Sequence, residues 1–175
     1  MRDMCMKKSV VLIGMPAAGK STVGVVLAKT LGKQFVDTDL LIQDREGMLL
    51  QEIINTKGNE YFRQVEEEVL SELDLDHAVI ATGGSAIYYP KAMENLATLG
   101  PVIYLQLSVP TLKKRLSNIK TRGITMAPGQ TIEDLARARI PLYEAYADIV
   151  MPTEGLDVEE TIERICIALK NFKKR

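Results

Sequence analysis

The fold is decided by residues 10–21, which read VVLIGMPAAGKS. The first four residues form an apolar run that predicts a buried parallel strand. The next eight match G-x-x-x-x-G-K-[ST], the phosphate-binding P-loop. In such a loop the glycines (Gly14 and Gly19) let the backbone wrap around a phosphate. Lys20 reaches the β- and γ-phosphates, and the Ser21 hydroxyl can ligate Mg²⁺. The motif therefore predicts nucleotide binding.

A helix and further βαβ units are predicted after the P-loop. Near-helical spacing of apolar residues predicts a helix over Thr22–Leu31 that ends at Gly32, with a stripe formed by Val25, Val26, Ala28 and Leu31. Beyond it, apolar runs alternate with helical patterns, which is typical of a parallel sheet with crossover helices. Further strands are predicted at Phe35-Val36, Ala78–Thr82, Val102–Leu107 and Asp148–Met151. Further helices are predicted at Leu40–Thr56 with a break near Gly47, Gly58–Leu73, Pro90–Leu99, Thr111–Ile119, from Thr131 towards Tyr146 with a kink or break at Pro141, and after the capping pair Asp157 and Glu160.

Composition and charge are those of an ordinary globular chain. Its 175 residues suit a single domain, and a net charge of −1 does not favour nucleic acid or a membrane surface as a partner. No stretch approaches the ~18 apolar residues of a membrane span, and the N-terminus does not resemble a secretory signal. Cys5 and Cys166 lack metal-ligand spacing, and Cys166 falls in the apolar stripe of the last helix. We therefore expect a reduced, cytoplasmic protein.

Polar and glycine residues collect where three of the predicted strands end. Because the carboxyl ends of parallel strands share one edge of a sheet, the P-loop, Asp37-Thr38-Asp39 and Gly83-Gly84-Ser85 should border one crevice. Asp37 and Asp39 could there divide two tasks, one holding water around Mg²⁺ and the other taking the proton of an attacking hydroxyl. The alternative is a capping pair that opens the next helix. The glycines allow close backbone approach to a ligand, or make a tight turn.

Three arginines are weaker candidates when each is taken alone. Arg63 lies on the polar side of its predicted helix together with Glu66 and Glu67, and the simplest interpretation is a surface residue paired with one of them. Arg122 lies in a loop flanked by glycine and proline, of the kind that closes over a phosphate site. Arg139 precedes the predicted helix break. The buried face of the helix that carries Arg63 is predicted to be apolar: Phe62, Val65, Val69, Leu70 and Leu73.

Taken together, these motifs resemble the shikimate kinase family. They occur in one order from residue 8 to the last helix: Gly14–Ser21, Asp37-Thr38-Asp39, Tyr61-Phe62-Arg63-x-x-Glu66, Thr82-Gly83-Gly84, a lid arginine, and Arg139-x-Pro141-Leu142-Tyr143. The resemblance implies an α/β fold, a three-layer αβα P-loop kinase with a five-stranded parallel sheet of order 2-3-1-4-5 and a lid. It implies one domain over residues 1–175, with a substrate-binding subdomain at about 39–70 and the lid at about 120–131.

The resemblance also implies a role for each matched residue. ATP would be bound by Gly14, Ala17, Ala18, Gly19, Lys20, Ser21, Thr22, Arg115 and Arg122, with the Met151–Leu156 loop closing over adenine. Shikimate would be bound by Asp39, Arg63, Gly83, Gly84 and Arg139, and catalysis would depend on Asp39, Lys20 and Arg122. Mg²⁺ would be held by Ser21 and Asp37. The implied activity is the ATP-dependent formation of shikimate 3-phosphate, in aromatic amino acid biosynthesis, by a monomer.

Two departures from the family pattern concern the acceptor. Ser85 stands where the family has a third glycine, and Arg122-Gly123-Ile124 stands where its lid has Arg-Pro-Leu. Ser85 adds a hydroxyl and a Cβ beside the expected acceptor. A kinase of another small hydroxylated acid, such as gluconate, is therefore an alternative, whereas a nucleotide acceptor would need a base-reading pocket that the sequence does not reveal. A nucleotide-binding switch protein is a third hypothesis, but the Asn-Lys-x-Asp motif of GTPases is absent.

Overall fold

The computed structural model describes residues 8–117 and 129–172. One parallel sheet has the strand order β2-β3-β1-β4-β5, which confirms the predicted topology. The strands are β1 Val10–Ile13, β2 Gln34–Asp37, β3 Ala78–Ala81, β4 Val102–Gln106 and β5 Ile149–Pro152. The α-helices in the described ranges are α1 Lys20–Leu31, α2 Thr38–Glu46, α3 Leu50–Ser71, α4 Pro90–Leu99, α5 Val109–Ser117, α6 Ile132–Tyr146 and α7 Val158–Asn171.

The centre of the sheet is apolar on both faces. All four residues of β1 and all four of β3 are buried, as is usual for parallel strands that helices cover on both sides. Helix α1 contacts β2, β3 and α7, whereas α4 contacts β1 and α3, and α6 contacts β4. The sheet is thus the middle of three layers, which confirms the predicted architecture.

The helix ends follow the sequence signals. Thr131 caps the N-terminus of α6 and Asp157 that of α7, and in both cases the acidic residue three positions later completes a capping box. Helices α1 and α2 end at Gly32 and Gly47, as predicted. Gly58 has φ 87° and ψ 165° and divides α3 into two helical parts, where the sequence predicts the second of them to begin.

Of the two outcomes predicted at Pro141, a kink or a break, the break is wrong. Helix α6 continues through this residue to Tyr146. Pro141 cannot donate to the carbonyl of Arg137, four residues earlier, but both residues are exposed. Water can therefore satisfy that carbonyl, while the opposite side of the helix, with Arg139 and Tyr143, is buried.

The predicted apolar stripe of α1 is also partly wrong. Val25 and Val26 are 50% and 37% exposed, whereas Val23 and Leu27 are buried. The P-loop determines this orientation, because it buries Lys20 at the first position of the helix. Residues three and seven positions later then lie on the same side.

The last helix packs the predicted apolar residues against the core, with Ile162, Ile165 and Leu169 buried. Cys166, predicted to be a core thiol, is half-buried beside this cluster. Burial raises the pKa of its thiol. Within residues 8–117 and 129–172, no helix is long and apolar enough to cross a membrane.

Candidate active site

The carboxyl ends of β1, β2 and β3 open into one cleft with an empty volume of about 690 Å³. β1 continues into the P-loop, β2 ends at Asp37, and β3 leads into Gly83 and Gly84. Strands β2 and β3 lie on one side of β1, and β4 and β5 lie on its other side, so the strand order changes direction at β1. Open α/β sheets bind ligands at such a switch point. The cleft brings together most of the predicted site residues: Ala17, Gly19, Lys20, Ser21, Asp37, Asp39, Gly83, Gly84 and Arg139.

The P-loop forms one wall of this cleft. The buried Lys20 ammonium donates hydrogen bonds to the carbonyl oxygens of Gly14 at 2.7 Å and Met15 at 2.9 Å. Gly14 has φ 149°, and a Cβ at this position would lie 2.9 Å from the carbonyl oxygen of Leu105, so a side chain does not fit. Gly19 precedes α1 and offers no side-chain cap. The first-turn N–H groups of α1 thus suit an anion.

Ser21 and Asp37 form a pair of oxygen ligands beside the loop. The Ser21 hydroxyl donates to Asp37 Oδ2 at 2.8 Å. The other oxygen, Oδ1, accepts from the backbone N–H of Asp39 at 3.0 Å and caps α2. Asp37 is therefore both a helix cap and a member of the site. A hydroxyl and a carboxylate this close fit Mg²⁺, which prefers oxygen ligands and usually takes only one or two from the protein. Among the described residues, no group of three or more His, Cys, Asp and Glu is placed to hold a metal ion.

Charged side chains approach Gly83 and Gly84 so closely that they would have to move if either residue carried a Cβ. A Cβ on Gly83 would lie 3.0 Å from Asp39 Oδ1. A Cβ on Gly84 would lie 2.9 Å from a terminal nitrogen of Arg139 and 3.0 Å from Cδ of Pro16. The glycines thus let charged side chains reach the backbone, which is more than a tight turn requires.

Arg139 lies at the other wall and is only 3% exposed. Its Cζ lies 5.4 Å from the ring centroid of Tyr88, in a cation–π contact. One turn later, the Tyr143 hydroxyl donates to the carbonyl oxygen of Gly84 at 2.6 Å, and its ring stacks on Tyr104 with 5.1 Å between centroids. Burial raises the pKa of Tyr143, so the phenol stays protonated and remains a donor. These contacts hold α6 against the glycine turn.

A second pocket lies beside the P-loop. Arg115, at the end of α5, lines it and donates to the carbonyl oxygen of Ala17 at 3.2 Å. The other predicted nucleotide-binding residues there are Ala18, Gly19, Thr22 and Leu156 of the Met151–Leu156 loop. The pocket is thus placed to continue the phosphate site towards a nucleoside.

One predicted arginine is not part of the cleft lining, and another belongs to the part of the chain that the structure does not describe. Arg63 is exposed on α3 and is not among the residues that line it. Within the described part of the chain Arg63 forms no ion pair with Glu66 or Glu67, so the predicted pairing is wrong. Arg122 lies outside the described residues, as does most of the predicted lid.

Glu66 is the site residue that the sequence analysis missed. It was predicted on the polar side of α3, yet it is 1% exposed and lines the cleft. Its carboxylate accepts hydrogen bonds from the hydroxyls of Ser85, at 2.8 and 2.7 Å from its two oxygens, and of Tyr89, at 2.8 Å. A signal was available: Glu66 lies four residues after Phe62 and four before Leu70, a spacing that places it on the same face of the helix as these two buried residues.

Burial raises the pKa of Glu66, and the hydrogen bonds from Ser85 and Tyr89 oppose this shift. The nearby charge of Asp39 raises the pKa further, while that of Arg139 lowers it. The net direction is upward, so Glu66 ionises at a higher pH in the folded protein than an ordinary glutamate does.

This shift predicts that the stability of Glu66→Gln, relative to that of the wild type, depends on pH. Unfolded Glu66 ionises around its ordinary value of 4.5, whereas folded Glu66 keeps its proton to higher pH. The native state then binds more protons, so the free energy of unfolding of the wild type falls as the pH rises through this window. Glutamine does not titrate, and the stability of the variant relative to that of the wild type should therefore rise with pH.

Urea denaturation between about pH 4 and pH 8 measures this difference. Glu67→Gln, on the same helix but only half-buried, controls for the loss of one carboxylate. A difference between Glu66→Gln and the wild type that stays constant across the range would contradict the raised pKa.

The fold and the cleft are those of a P-loop kinase of small molecules. A family model described as shikimate kinase matches residues 16–170. The chain belongs to the shikimate kinase family.

Individual relatives agree with this assignment. The chain is 37% identical to a shikimate kinase of Histophilus somni (strain 2336), over 97% of this chain and 99% of that protein. Its fold matches a shikimate kinase from Acinetobacter baumannii, solved in complex with shikimate, with a TM-score of 0.86 and 33% identity over 95% and 96% of the two chains. A gluconokinase from Sinorhizobium meliloti 1021 has a TM-score of 0.54 and 17% identity over 94% and 92% of the chains, which shows a shared fold alone.

Proposed function

We propose that the protein transfers the γ-phosphoryl group of ATP to the 3-hydroxyl of shikimate. The observation that carries this proposal is the cleft that joins the P-loop to the buried guanidinium of Arg139. A guanidinium can bind a carboxylate through two parallel hydrogen bonds, and shikimate carries a carboxylate as well as hydroxyls. Membership of the shikimate kinase family supports the same substrate.

The nucleotide would lie along the P-loop. Lys20 would turn from the loop carbonyls to the β- and γ-phosphates, and the nucleoside would occupy the pocket lined by Arg115 and Leu156. Ser21 and Asp37 would hold Mg²⁺, which when bound neutralises phosphate charge. Arg122, whose role depends on the resemblance alone, would stabilise the transferring group from the lid at about 120–131.

The acceptor would lie between Asp39 and Arg139. Asp39 would accept a hydrogen bond from the attacking hydroxyl, orient its oxygen for in-line transfer and take its proton. Arg139 would bind the carboxylate, and the backbone at Gly83 and Gly84 would contact the ring. Arg63 would contribute from the subdomain at about 39–70 as a second carboxylate ligand, although it lies outside the lining of the cleft.

Coupled ADP release with Mg-ATP tests this function. Shikimate is compared with gluconate, homoserine and nucleoside monophosphates, and the product is characterised by mass and by position of the phosphate. We expect saturable turnover with shikimate at sub-millimolar KM, within the ordinary range for enzymes of about 1 μM to 1 mM. Turnover of another acceptor with shikimate inert would overturn the proposal and leave the P-loop kinase class intact.

A further inference from the structure

We propose that Ser85 is a positioning residue for the acceptor, because its hydroxyl and that of Tyr89 hold the Glu66 carboxylate against Gly83 and beside Asp39. This inference rests on the proposed function, since it concerns the same acceptor. Ser85 acts through Glu66 and is not itself given a part in the chemistry.

The first step is the direction of the Ser85 hydroxyl. Ser85 lines the cleft, yet its Oγ lies 2.8 Å from Glu66 Oε1 and 2.7 Å from Oε2. The carboxylate has no proton to give when ionised, so the serine is the donor. The single donor proton of this hydroxyl is thus used within the protein, and the residue differs in this from a glycine, which has no such donor.

The second step is the place where this contact holds the carboxylate. A Cβ on Gly83 would lie 2.7 Å from Glu66 Oε1 and 3.0 Å from Asp39 Oδ1. Two carboxylate oxygens therefore converge on the same glycine, at the end of the cleft that would receive the acceptor hydroxyls. Like charges in a buried site repel, and each group needs its own donors to stay in place.

The third step is the supply of those donors. Tyr89 is buried and donates to Glu66 Oε2 at 2.8 Å. Ser85 adds a second donor on the cleft side. Its loss would leave Glu66 with the Tyr89 hydroxyl alone, free to rotate away from Gly83 or to take up a proton. Either change alters the surface that faces the acceptor, while the P-loop and the pocket beside Arg115 keep their contacts.

The test is a double-mutant cycle with steady-state kinetics for both substrates. Ser85→Ala should raise the KM for shikimate about tenfold, in keeping with the loss of a hydrogen bond to a charged group. It should leave the KM for ATP within about twofold and change kcat less than KM. In the Glu66→Gln background, the same substitution should change the KM for shikimate less than about twofold, because the partner has already been altered.

A matched control is Ser71→Ala, at the last residue of α3, the helix that carries Glu66. The Ser71 hydroxyl is buried and has no hydrogen-bond partner within the described residues, so its removal should leave both KM values unchanged. An unchanged KM for shikimate in Ser85→Ala would overturn the role of Ser85, and so would an effect that is undiminished in the Glu66→Gln background. If the wild-type enzyme were inert with shikimate, the proposed function would be overturned together with this role. The variant results described above would overturn the role of Ser85 alone, so the two failures can be distinguished.

Discussion

Lys20→Ala should abolish phosphoryl transfer, with a loss of at least about a thousandfold in kcat/KM whatever the acceptor. Lys20 is buried at the mouth of the P-loop, and its ammonium is held there by the carbonyl oxygens of Gly14 and Met15. Those carbonyls keep the positive charge of Lys20 inside the loop. The transferring phosphoryl group would develop its negative charge at the same place. Alanine removes that positive charge, and a lysine elsewhere in the chain is too far away to replace it.

Steady-state ADP release and ATP binding by calorimetry measure this effect. The control is Lys29→Ala, an exposed position on the same helix, which should leave the kinetics unchanged. Thermal unfolding separates chemistry from stability, because alanine also leaves two buried carbonyls without their donor. Turnover within tenfold of wild type in a folded Lys20→Ala variant would contradict the assignment.

The helices, the strands and the parallel sheet could be predicted from local patterns, whereas the strand order was implied by the resemblance to the family. VVLIGMPAAGKS identifies a strand, a loop and a helix, and the alternation that follows leads to a parallel sheet. Capping residues such as Thr131 and Asp157 mark helix starts because a side chain must satisfy N–H groups that the helix leaves unpaired. These rules depend on neighbours in sequence and therefore hold without the tertiary structure.

The acceptor end of the cleft depends on contacts between distant segments. Glu66 on α3 meets Ser85 and Tyr89 after β3, and no spacing within one segment reveals that bond. The position of Glu66 beside Arg63 and Glu67 predicts a solvated glutamate, and charged residues are seldom fully buried without partners. The partners exist, but they lie about twenty residues away. The orientation of α1 likewise depends on the P-loop, because the loop buries Lys20. The hydrophobicity of Val25 and Val26 has less influence on it.

Arg139→Ala should also have a large effect, but on the binding of the acceptor and not on phosphoryl transfer itself. Arg139 is buried, lines the cleft and is held by the Tyr88 ring. If it binds the acceptor carboxylate, alanine should raise the KM for shikimate about a hundredfold, the scale expected when a buried charged hydrogen bond is lost. ATP lies along the P-loop and should bind nearly as before. Arg139→Lys should restore little, because an ammonium cannot reproduce the two-pronged geometry.

The chain supplies a matched control two residues earlier. Arg137 lies on the same helix, is 80% exposed and pairs with Asp134 at 3.7 Å, so Arg137→Ala should leave both KM values within about twofold. Comparison with Lys20→Ala then separates the two ends of the cleft: one variant loses phosphoryl transfer with every acceptor, and the other loses affinity for the acceptor alone. Equal loss of ATP affinity in Lys20→Ala and Arg139→Ala would contradict this division, because it would mean that Arg139 supports the P-loop and not the acceptor.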